Sequence, residues 1–543
     1  MYTYKNIFLT AMMFFIPFAN LIAEEESESQ NGIGSDDIVV RTTYTPLIAD
    51  ATKVTFSASI ESEKIEPPTL RYSLPVQLIP VTYEQPNIRP IAIPQERPQP
   101  GKSSYARLGF GTQLSPLVEV LYTGGQTERF TFGGYFNHHS ARGGMDFQTF
   151  GKNNIHFFTD YFFDRIKIDA RAGYNNHIVH YYGFPEDSVF NKSDVRQSFN
   201  EYFIEANLRN TKDNRANIDY YLGMSADYFT DRYDATEVGA KVYAKFHKTF
   251  RNKHYIDFIF SVDHVNFESP TTDYQKNLIA INPHYTFFDE SWRLTAGLNG
   301  TFEGNVFHLF PHLSTEKTII GQQVIFYNGW KRYLDVNRYK FLAEENYFID
   351  NDLEIKNPRI EERFAGFKGT VINNLAYDAR FTQKIVENQP LFVNNPNNIK
   401  KFNTIYEKRM NIVNLHASVS YHLSNKLNFL LEADYYRHEL DEEEKAWHMP
   451  SFKMKFATGY NIGDKIILSS EIYGVDGVYA KLPNDEALKL NGLFDLNIGA
   501  TYHFSNHLSF FGQVNNIASI KHERWYRYPT YGFNAMIGAT LSY

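Results

Sequence analysis

Two histidine pairs and one acidic run are the residues of this sequence best suited to binding metal ions. His138 and His139 are adjacent, and His177 and His180 lie close together, in segments where we predict strand ends and loops. Imidazole is a common metal ligand, but no carboxylate is spaced to complete a coordination set. The acidic run at residues 441–444 could hold divalent cations that bridge lipopolysaccharide, or simply keep a loop solvated. We favour the solvated loop and predict no metal site.

Catalytic chemistry is not indicated either. The sequence has no cysteine, which excludes disulfides, thiolate catalysis, cysteine-ligated zinc and an acylated amino-terminal cysteine. It has no GxSxG elbow, P-loop or HExxH motif on suitable structure. The formal net charge of −8 is spread along the chain without a basic stripe, so nucleic acid is not an expected partner. We therefore predict neither an enzyme nor a bound cofactor.

A third set of ionisable residues alternates with apolar residues along predicted strands. Such alternation places the apolar side chains on one face and the charged side chains on the other. We expect the charged face to line a lumen, where carboxylates could tune the passage of a cation, although lysines share the interior. The predicted lumen-facing residues are Asp219, Asp227, Glu237, Lys241, Lys245, Glu432, Asp434 and Asp495.

The strands that carry these residues are long. The alternation between residues 489 and 504 alone runs well past the soluble strand length of about five or six. From residue 104 onward we count about 22 strands, an even number, as bacterial outer-membrane barrels require. The composition is 16% aromatic, with 38 Tyr and 46 Phe, which suits aromatic girdles at two membrane interfaces. The predicted fold is therefore all-β, a transmembrane antiparallel β-barrel of about 22 strands in the outer membrane.

The connections support this fold independently of the count, because short turns alternate with mostly longer loops. We expect the turns on the periplasmic side and the loops on the extracellular side. The predicted turns are residues 164–165, 210–215, 251–253, 289–291, 372–374, 424–426, 462–464 and 505–507. The predicted longer loops are residues 140–153, 176–196, 334–360, 386–401, 438–446, 476–488 and 519–531.

The last strand should close the barrel against the first. Phe533, Ile537 and Leu541 alternate up to the terminal aromatic residue Tyr543. We expect Tyr543 on the periplasmic side, at the seam where the last strand meets the first near Tyr105. The same strand should be recognised by the outer-membrane assembly machinery.

The amino-terminal part differs from the barrel. Residues 1–23 have the pattern of a Sec-type signal peptide. Residues 24–101 are acidic and then Pro-rich, which disfavours ladder hydrogen bonds and favours an extended periplasmic or luminal arm. Residues 102–543 form the predicted barrel. An exported chain of alternating strands is expected in the outer membrane of a Gram-negative bacterium, in contact with lipid and lipopolysaccharide.

Two segments resemble TonB-dependent receptors, the 22-stranded outer-membrane transporters. Near the carboxyl terminus, residues 510–517 read FFGQVNNI, and residues 523–529 read ERWYRYP before Gly532 and the terminal strand. The second segment resembles the TonB box, which binds TonB by strand addition; its residues are Asp36, Asp37, Ile38, Val39 and Val40. The chain departs from the family because residues 41–101 are too few for a full plug domain.

The resemblance implies an outer-membrane transport protein. A solute would pass through the barrel, and a short amino-terminal arm would restrict the pore or bind TonB or another envelope protein. The alternative is a non-transporting scaffold or assembly component of an outer-membrane complex, with its lumen closed by the arm or by a partner.

Overall fold

The computed structural model describes residues 104–543, apart from residues 126–128, 185–188, 373, 399, 424, 425, 464 and 521. The predicted signal peptide, the amino-terminal arm and the segment that resembles a TonB box lie outside the described residues.

A single 22-stranded sheet forms most of the described chain, and every neighbouring pair of its strands is antiparallel. Its first eleven strands are β1 Tyr105–Gly111, β2 Ser115–Gly124, β3 Phe130–Arg142, β4 Thr149–Phe162, β5 Ile166–His180, β6 Arg196–Asn210, β7 Asp219–Asp231, β8 Thr236–Phe250, β9 His254–Glu268, β10 Asp273–Phe288 and β11 Trp292–Glu303. The others are β12 Val306–Ile320, β13 Val324–Leu334, β14 Arg359–Ile372, β15 Leu375–Asn394, β16 Phe402–Leu423, β17 Leu427–Leu440, β18 Phe452–Ile462, β19 Ile466–Asp476, β22 Leu493–His503, β23 Leu508–Asn515 and β26 Asn534–Ser542.

The sheet closes on itself between its first and last strands. Tyr105 pairs with Ser542, and the ladder continues to Gly111 opposite Met536. The backbone nitrogen of Tyr543 donates to the carbonyl oxygen of Ser104 at 2.8 Å, which extends the seam by one residue. Closure leaves no sheet edge, as a bilayer requires. The predicted fold, a closed antiparallel barrel of 22 strands, is confirmed.

The two ends of the barrel differ in their connections. One end, the turn end, has short connections such as residues 251–253 between β8 and β9 and residues 289–291 between β10 and β11. The other end, the loop end, has the longer connections, including residues 181–195, 335–358, 441–451, 477–492 and 516–533. The chain therefore alternates between short turns and mostly longer loops, as the sequence predicts.

Several predicted boundaries are wrong by a few residues, and two of them show a local reason. The predicted loop at residues 386–401 begins late, because β15 continues to Asn394. Asn388 takes a left-handed φ of 61° without ending the ladder to β16. The predicted strand at residues 489–504 starts only at Leu493. The residues before it form a small hairpin of β20 Tyr479–Lys481 and β21 Ala487–Lys489.

The outer surface of the barrel is apolar. On β7 the exposed side chains include Leu222, Met224 and Tyr228, and on β8 they include Val238 and Val242. A soluble monomer rarely exposes a continuous apolar surface of this extent. The alternation of strand faces thus supplies an outward belt suited to hydrocarbon.

The inner surface is polar, and its side chains form cross-strand hydrogen bonds. The Asn153 amide donates to Asn176 at 3.0 Å, and the Asn175 amide donates to Glu201 at 2.8 Å. Across β7, the Tyr243 hydroxyl on β8 donates to Asn207 on β6 at 2.8 Å. These bonds satisfy polar groups that would be costly to leave unpaired in the barrel interior.

The largest buried apolar cluster lies at the loop end and not between strands in mid-barrel. It joins loop residues such as Tyr181, Tyr339 and Tyr528 to residues near strand ends such as Phe229 and Phe267. One helix, α1 Tyr339–Glu345, and a two-stranded ribbon, β24 Glu523–Trp525 with β25 Tyr528–Pro529, belong to these loops. Within the described residues no helix is long and apolar enough to cross a membrane.

Candidate functional site: a lid over the barrel mouth

Two loops make up a lid over the barrel mouth. The helical loop, residues 335–358, joins β13 to β14, and the aromatic loop, residues 516–533, joins β23 to β26. They leave the wall at well-separated positions, since several strands lie between β14 and β23 in the sheet. Contact between the two loops must therefore occur over the lumen and not along the rim.

The helix in the helical loop is short and depends on tertiary packing. α1 has seven residues, and its amino-terminal flank, Arg338, has extended backbone with no side-chain cap. Tyr339, Leu342 and Ala343 are buried on one face. A helix of this length is not stable alone in water, so its contacts with the barrel wall hold it in place.

Arg338 attaches the helical loop to the wall. Its Nη1 lies 3.0 Å from Asp227 on β7, and its Nε lies 2.9 Å from Glu237 on β8. Gly239 on β8 leaves room for the guanidinium, because a Cβ there would lie 2.2 Å from Arg338 Nη2. Burial opposes the charge of Arg338, but the two carboxylates outweigh it and raise the pKa above its usual value. We call Arg338, Asp227 and Glu237 the arginine latch.

Further contacts follow along the helix. The Tyr339 backbone nitrogen donates to Glu237 at 2.8 Å, and its hydroxyl donates to Asp231 at 2.8 Å. Burial and the negative charge of Asp231 raise the pKa of Tyr339, so the hydroxyl stays protonated as a donor. The ammonium of Lys340 forms a salt bridge with Glu201 on β6.

The far half of the helical loop binds the tip of the β15–β16 hairpin. Ile349 forms a parallel bridge with Phe402, whose nitrogen donates to the Phe348 carbonyl at 2.8 Å. Asp350 accepts from the Lys401 ammonium at 2.9 Å. Ile349, Phe402 and Asp350 thus tie the loop to a second part of the wall, so the helical loop is held at both of its halves.

The aromatic loop reaches three other loops at this end. The carbonyl of Pro529 accepts from Gln148 at 2.9 Å and from the Tyr182 hydroxyl at 3.0 Å. The Tyr528 hydroxyl donates to the Lys400 carbonyl at 2.5 Å. Gly183, with a φ of 73°, lets the backbone approach Arg527, because a Cβ there would lie 1.6 Å from the Arg527 carbonyl oxygen.

The two loops meet through aromatic rings. Phe348 of the helical loop stacks on Tyr528 of the aromatic loop, with centroids 3.8 Å apart and ring planes at 22°. Tyr182 packs edge-on against both rings, at 5.9 Å and 5.0 Å. Burial raises the pKa of Tyr528, so its hydroxyl stays neutral in this cluster. We conclude that the lid extends across the mouth at the loop end.

The acidic run of residues 441–444 packs around a buried carboxylate. Glu407 on β16 is 1% exposed and accepts hydrogen bonds from three successive backbone nitrogens, those of Asp441, Glu442 and Glu443. The Glu443 carboxylate accepts from the Trp447 ring nitrogen at 2.7 Å. The backbone of the run therefore binds the buried Glu407 carboxylate, and Glu443 holds the ring of Trp447 by a hydrogen bond.

The four candidate histidines are not gathered into one site, and among the described residues no group of three or more potential ligands could hold a metal ion. Each contacts its own neighbours. These contacts are His138 with Asn153 at 2.7 Å, His139 with Ser115 at 3.1 Å, His180 with Thr149 at 2.6 Å, and the ring of His177 with that of Tyr347 at 3.9 Å between centroids.

The predicted lumen residues fall into separate groups. Asp227 and Glu237 meet at the arginine latch, whereas Lys241 pairs with Asp263 at 3.2 Å and Lys245 with Asp257 at 3.8 Å. Asp219 accepts a hydrogen bond from Asn210 at 2.8 Å, and Asp434 contacts His416 at 3.0 Å. Glu432 lies opposite Lys455 in the β17–β18 ladder. Asp495 accepts hydrogen bonds from the backbone nitrogens of Leu496 and Ala518 at 2.7 and 3.1 Å.

The four residues predicted to close the barrel lie in or beside β26. Ile537 and Leu541 are exposed on the outer face of the strand, Ile537 at 73%. Phe533 immediately precedes the strand and Tyr543 immediately follows it. Phe533 also contacts the β1–β2 connection, since its carbonyl accepts from Gln113 at 3.2 Å.

The sequence patterns do not predict the lid. Arg338 and Tyr339 lay in a predicted loop without any role. The one available indication was composition, because this loop carries Tyr339, Phe341, Tyr347 and Phe348, more aromatic residues than a solvated loop needs.

A cavity of about 400 Å³ lies in the wall of the lumen below the start of the helical loop. We call it the wall cavity. It is bounded by strands β8 to β13, and Leu334 and Val336 contribute to its lining where the chain enters the helical loop. Its polar lining residues include Lys241, Asp263, Asn282, His284, His312 and Lys331.

Comparison with solved structures finds the same fold in an iron transporter and in a ferric enterobactin receptor. The FrpB iron transporter of Neisseria meningitidis (F5-1 variant) has a TM-score of 0.65 at 10% identity, over 81% of this chain and 82% of that chain. A mutant of the ferric enterobactin receptor PfeA of Pseudomonas aeruginosa has a TM-score of 0.62 at 10% identity, over 82% and 81%.

A third structure, P. aeruginosa FpvA in complex with a pyoverdine and iron, has a TM-score of 0.62 at 11% identity, over 82% of this chain and 72% of that chain. No protein-family model matches this chain, and no curated protein matches it by sequence. The resemblance to TonB-dependent receptors is thus confirmed as a likeness of fold.

Proposed function

We propose that this protein passes a small solute through its barrel across the outer membrane of a Gram-negative bacterium, with the loop end facing outward. The observation that carries the proposal is a closed 22-stranded barrel with a polar interior, whose mouth is covered by loops attached through ion pairs and aromatic contacts.

The fold comparisons support transport as the class of function. The neighbouring structures are described as an iron transporter, a ferric enterobactin receptor, and FpvA bound to pyoverdine and iron. Ferric iron complexes are therefore the first solutes to test. We assign no catalytic activity to the chain.

The proposed gate has two parts. The lid closes the outer mouth, and the amino-terminal arm of residues 24–101 restricts the lumen from the periplasmic side or binds TonB. The arm is proposed as a gate because its Pro-rich sequence is too short for a plug domain but long enough to enter a wide lumen.

Single-channel conductance in planar bilayers tests this function. We expect the full mature chain to conduct rarely and a variant lacking residues 24–101 to open more often. A variant that stays closed while envelope proteins co-purify with the full chain would instead support the scaffold role. Heat-modifiability on gels serves as the folding control for both forms.

A further inference from the structure

We propose that the wall cavity is a binding site for a small organic anion that carries carboxylate groups. This inference names the solute class for the proposed passage and takes its biological meaning from that function. Binding itself is independent of transport and can be measured separately. The cavity volume of about 400 Å³ lies within the range of about 300–1,000 Å³ that is usual for small-molecule sites.

Two lysines supply most of the charge in the cavity. Lys241 on β8 is 3.2 Å from Asp263, and its side chain is 44% exposed. Lys331 on β13 is 3.4 Å from Glu362, and its side chain is 34% exposed. Each ammonium has three donors and uses one in its ion pair, so donors remain for a ligand. Among the charged groups that line the cavity, only Asp263 is negative.

Two histidines lie across neighbouring strands between these lysines. The rings of His284 and His312 have centroids 4.3 Å apart, and His284 Nε2 contacts the Asn299 amide oxygen at 3.0 Å. Within the described residues, the ring nitrogens of His312 have no protein hydrogen bond, so they remain available to a ligand. A neutral imidazole donates through one nitrogen and accepts through the other.

One polar atom of the lining also lacks a partner. The amide oxygen of Asn282 is buried and has no hydrogen-bond partner among the described residues. Leaving such an atom unsatisfied is unfavourable, which favours a donor from a bound molecule or water. A hydroxyl group on the ligand would supply that donor, while its carboxylates meet the lysines.

The apolar part of the lining limits the ligand to an organic molecule of modest size. Leu278 is 3% exposed, and Leu334 and Val336 lie where β13 enters the helical loop. Because Arg338 of the arginine latch follows Val336 by two residues, movement of the lid would change this side of the cavity. A ligand would therefore reach the wall cavity after the lid opens.

Isothermal titration of the full mature protein in detergent tests the proposal, with citrate as the anionic probe and myo-inositol as a neutral probe of similar size. We expect citrate to bind and inositol to bind weakly or not at all. Lys241→Gln and Lys331→Gln should each weaken citrate binding roughly tenfold, the loss expected for one charge-assisted hydrogen bond.

Lys455→Gln is the matched control. Lys455 on β18 is also 44% exposed and pairs with Glu471 at 3.4 Å, but it does not line the wall cavity. Its citrate affinity should equal that of the wild type. Equal loss in Lys455→Gln, absence of citrate binding, or equal binding of inositol would each overturn the proposal.

The outcomes also separate this site from the proposed function. If citrate does not bind but the deletion of residues 24–101 opens a conducting pore, the anion site fails and transport stands. If citrate binds with the expected variant pattern but no form of the protein conducts, the site stands and transport fails. Should a lysine variant not fold, the comparison of citrate with inositol on the wild type still decides the charge preference.

Discussion

Arg338 joins the lid to the barrel wall through two carboxylates on neighbouring strands. Glu237 is fully buried, and the side chains of Arg338 and Asp227 are 11% and 14% exposed. Ion pairs this deep contribute little net stability compared with an apolar contact, because desolvation offsets the attraction. Removing one partner is different, since the remaining charges stay buried without compensation.

Arg338→Ala should therefore release the helical loop. We expect the local stability of residues 335–358 to fall by about 3–5 kcal/mol, because two carboxylates would remain uncompensated. Amide hydrogen exchange in detergent measures this directly, as faster exchange in the helical loop. Arg363→Ala is the control, since Arg363 is 50% exposed and pairs with Glu361 on the barrel surface. Equal exchange in the two variants would contradict the latch.

Gly183 marks the closest approach between two loops of the mouth. Gly183→Ala should displace the aromatic loop, because the Cβ would meet the Arg527 carbonyl and because a left-handed φ costs an alanine about 1 kcal/mol. We expect faster protease cleavage within residues 516–533. In Gly144→Ala the new Cβ meets no heavy atom within 4 Å, so cleavage should match the wild type. An unchanged cleavage rate in Gly183→Ala would argue against this contact.

At the scale of elements, the strands and the lid follow different rules. Strand faces come from the period of two, which the sequence displays directly, as in Leu222 and Met224 on β7. The lid has no such period. Its helix is seven residues long, and its position depends on partners more than a hundred residues away, such as Asp227 and Asp231 for Arg338 and Tyr339.

Ile498→Arg tests the outward face of β22. Ile498 is 45% exposed on the outer surface, so a cation there would enter hydrocarbon and cost roughly 2–4 kcal/mol near the bilayer midplane. Urea unfolding in lipid bilayers measures the loss. Gln513→Arg on the adjacent strand β23 faces inward and should cost much less. Equal stability of the Ile498 variant and the wild type would refute the assigned face.

At the scale of the whole molecule, the loop end and the turn end of the barrel are proposed to contribute different parts of the gate. The described chain closes the mouth at the loop end with a lid of its own loops, and the amino-terminal arm is proposed to act at the other end. Energised opening would require the arm to engage a partner across the periplasm, which is the role we propose for the segment that resembles a TonB box.

A peptide with Asp36, Asp37, Ile38, Val39 and Val40 should bind the carboxyl-terminal domain of TonB. Strand addition uses backbone hydrogen bonds, so replacing Val39 with proline should abolish binding, whereas Val39→Ile should preserve it. Fluorescence anisotropy of the labelled peptides measures both. If the parent peptide shows no interaction, energisation by TonB must be abandoned, and passive passage through the barrel would remain.

The sequence by itself determined the barrel. Alternation over long stretches specifies both faces of each strand, and alternating short and long connections specify the two ends, because these are local properties of the chain. Several strand boundaries differ from the prediction, as at Asn388, whose left-handed φ does not end β15.

Only the tertiary structure decided the lid and the wall cavity. Arg338 meets Asp227 and Glu237, and Phe348 meets Tyr528, because closure of the barrel brings distant loops together over one mouth. Lys241 and Lys331 share a cavity for the same reason, since the strands between them curve around the lumen. No local period encodes such contacts, so these contacts between distant residues can be recognised only in the closed sheet.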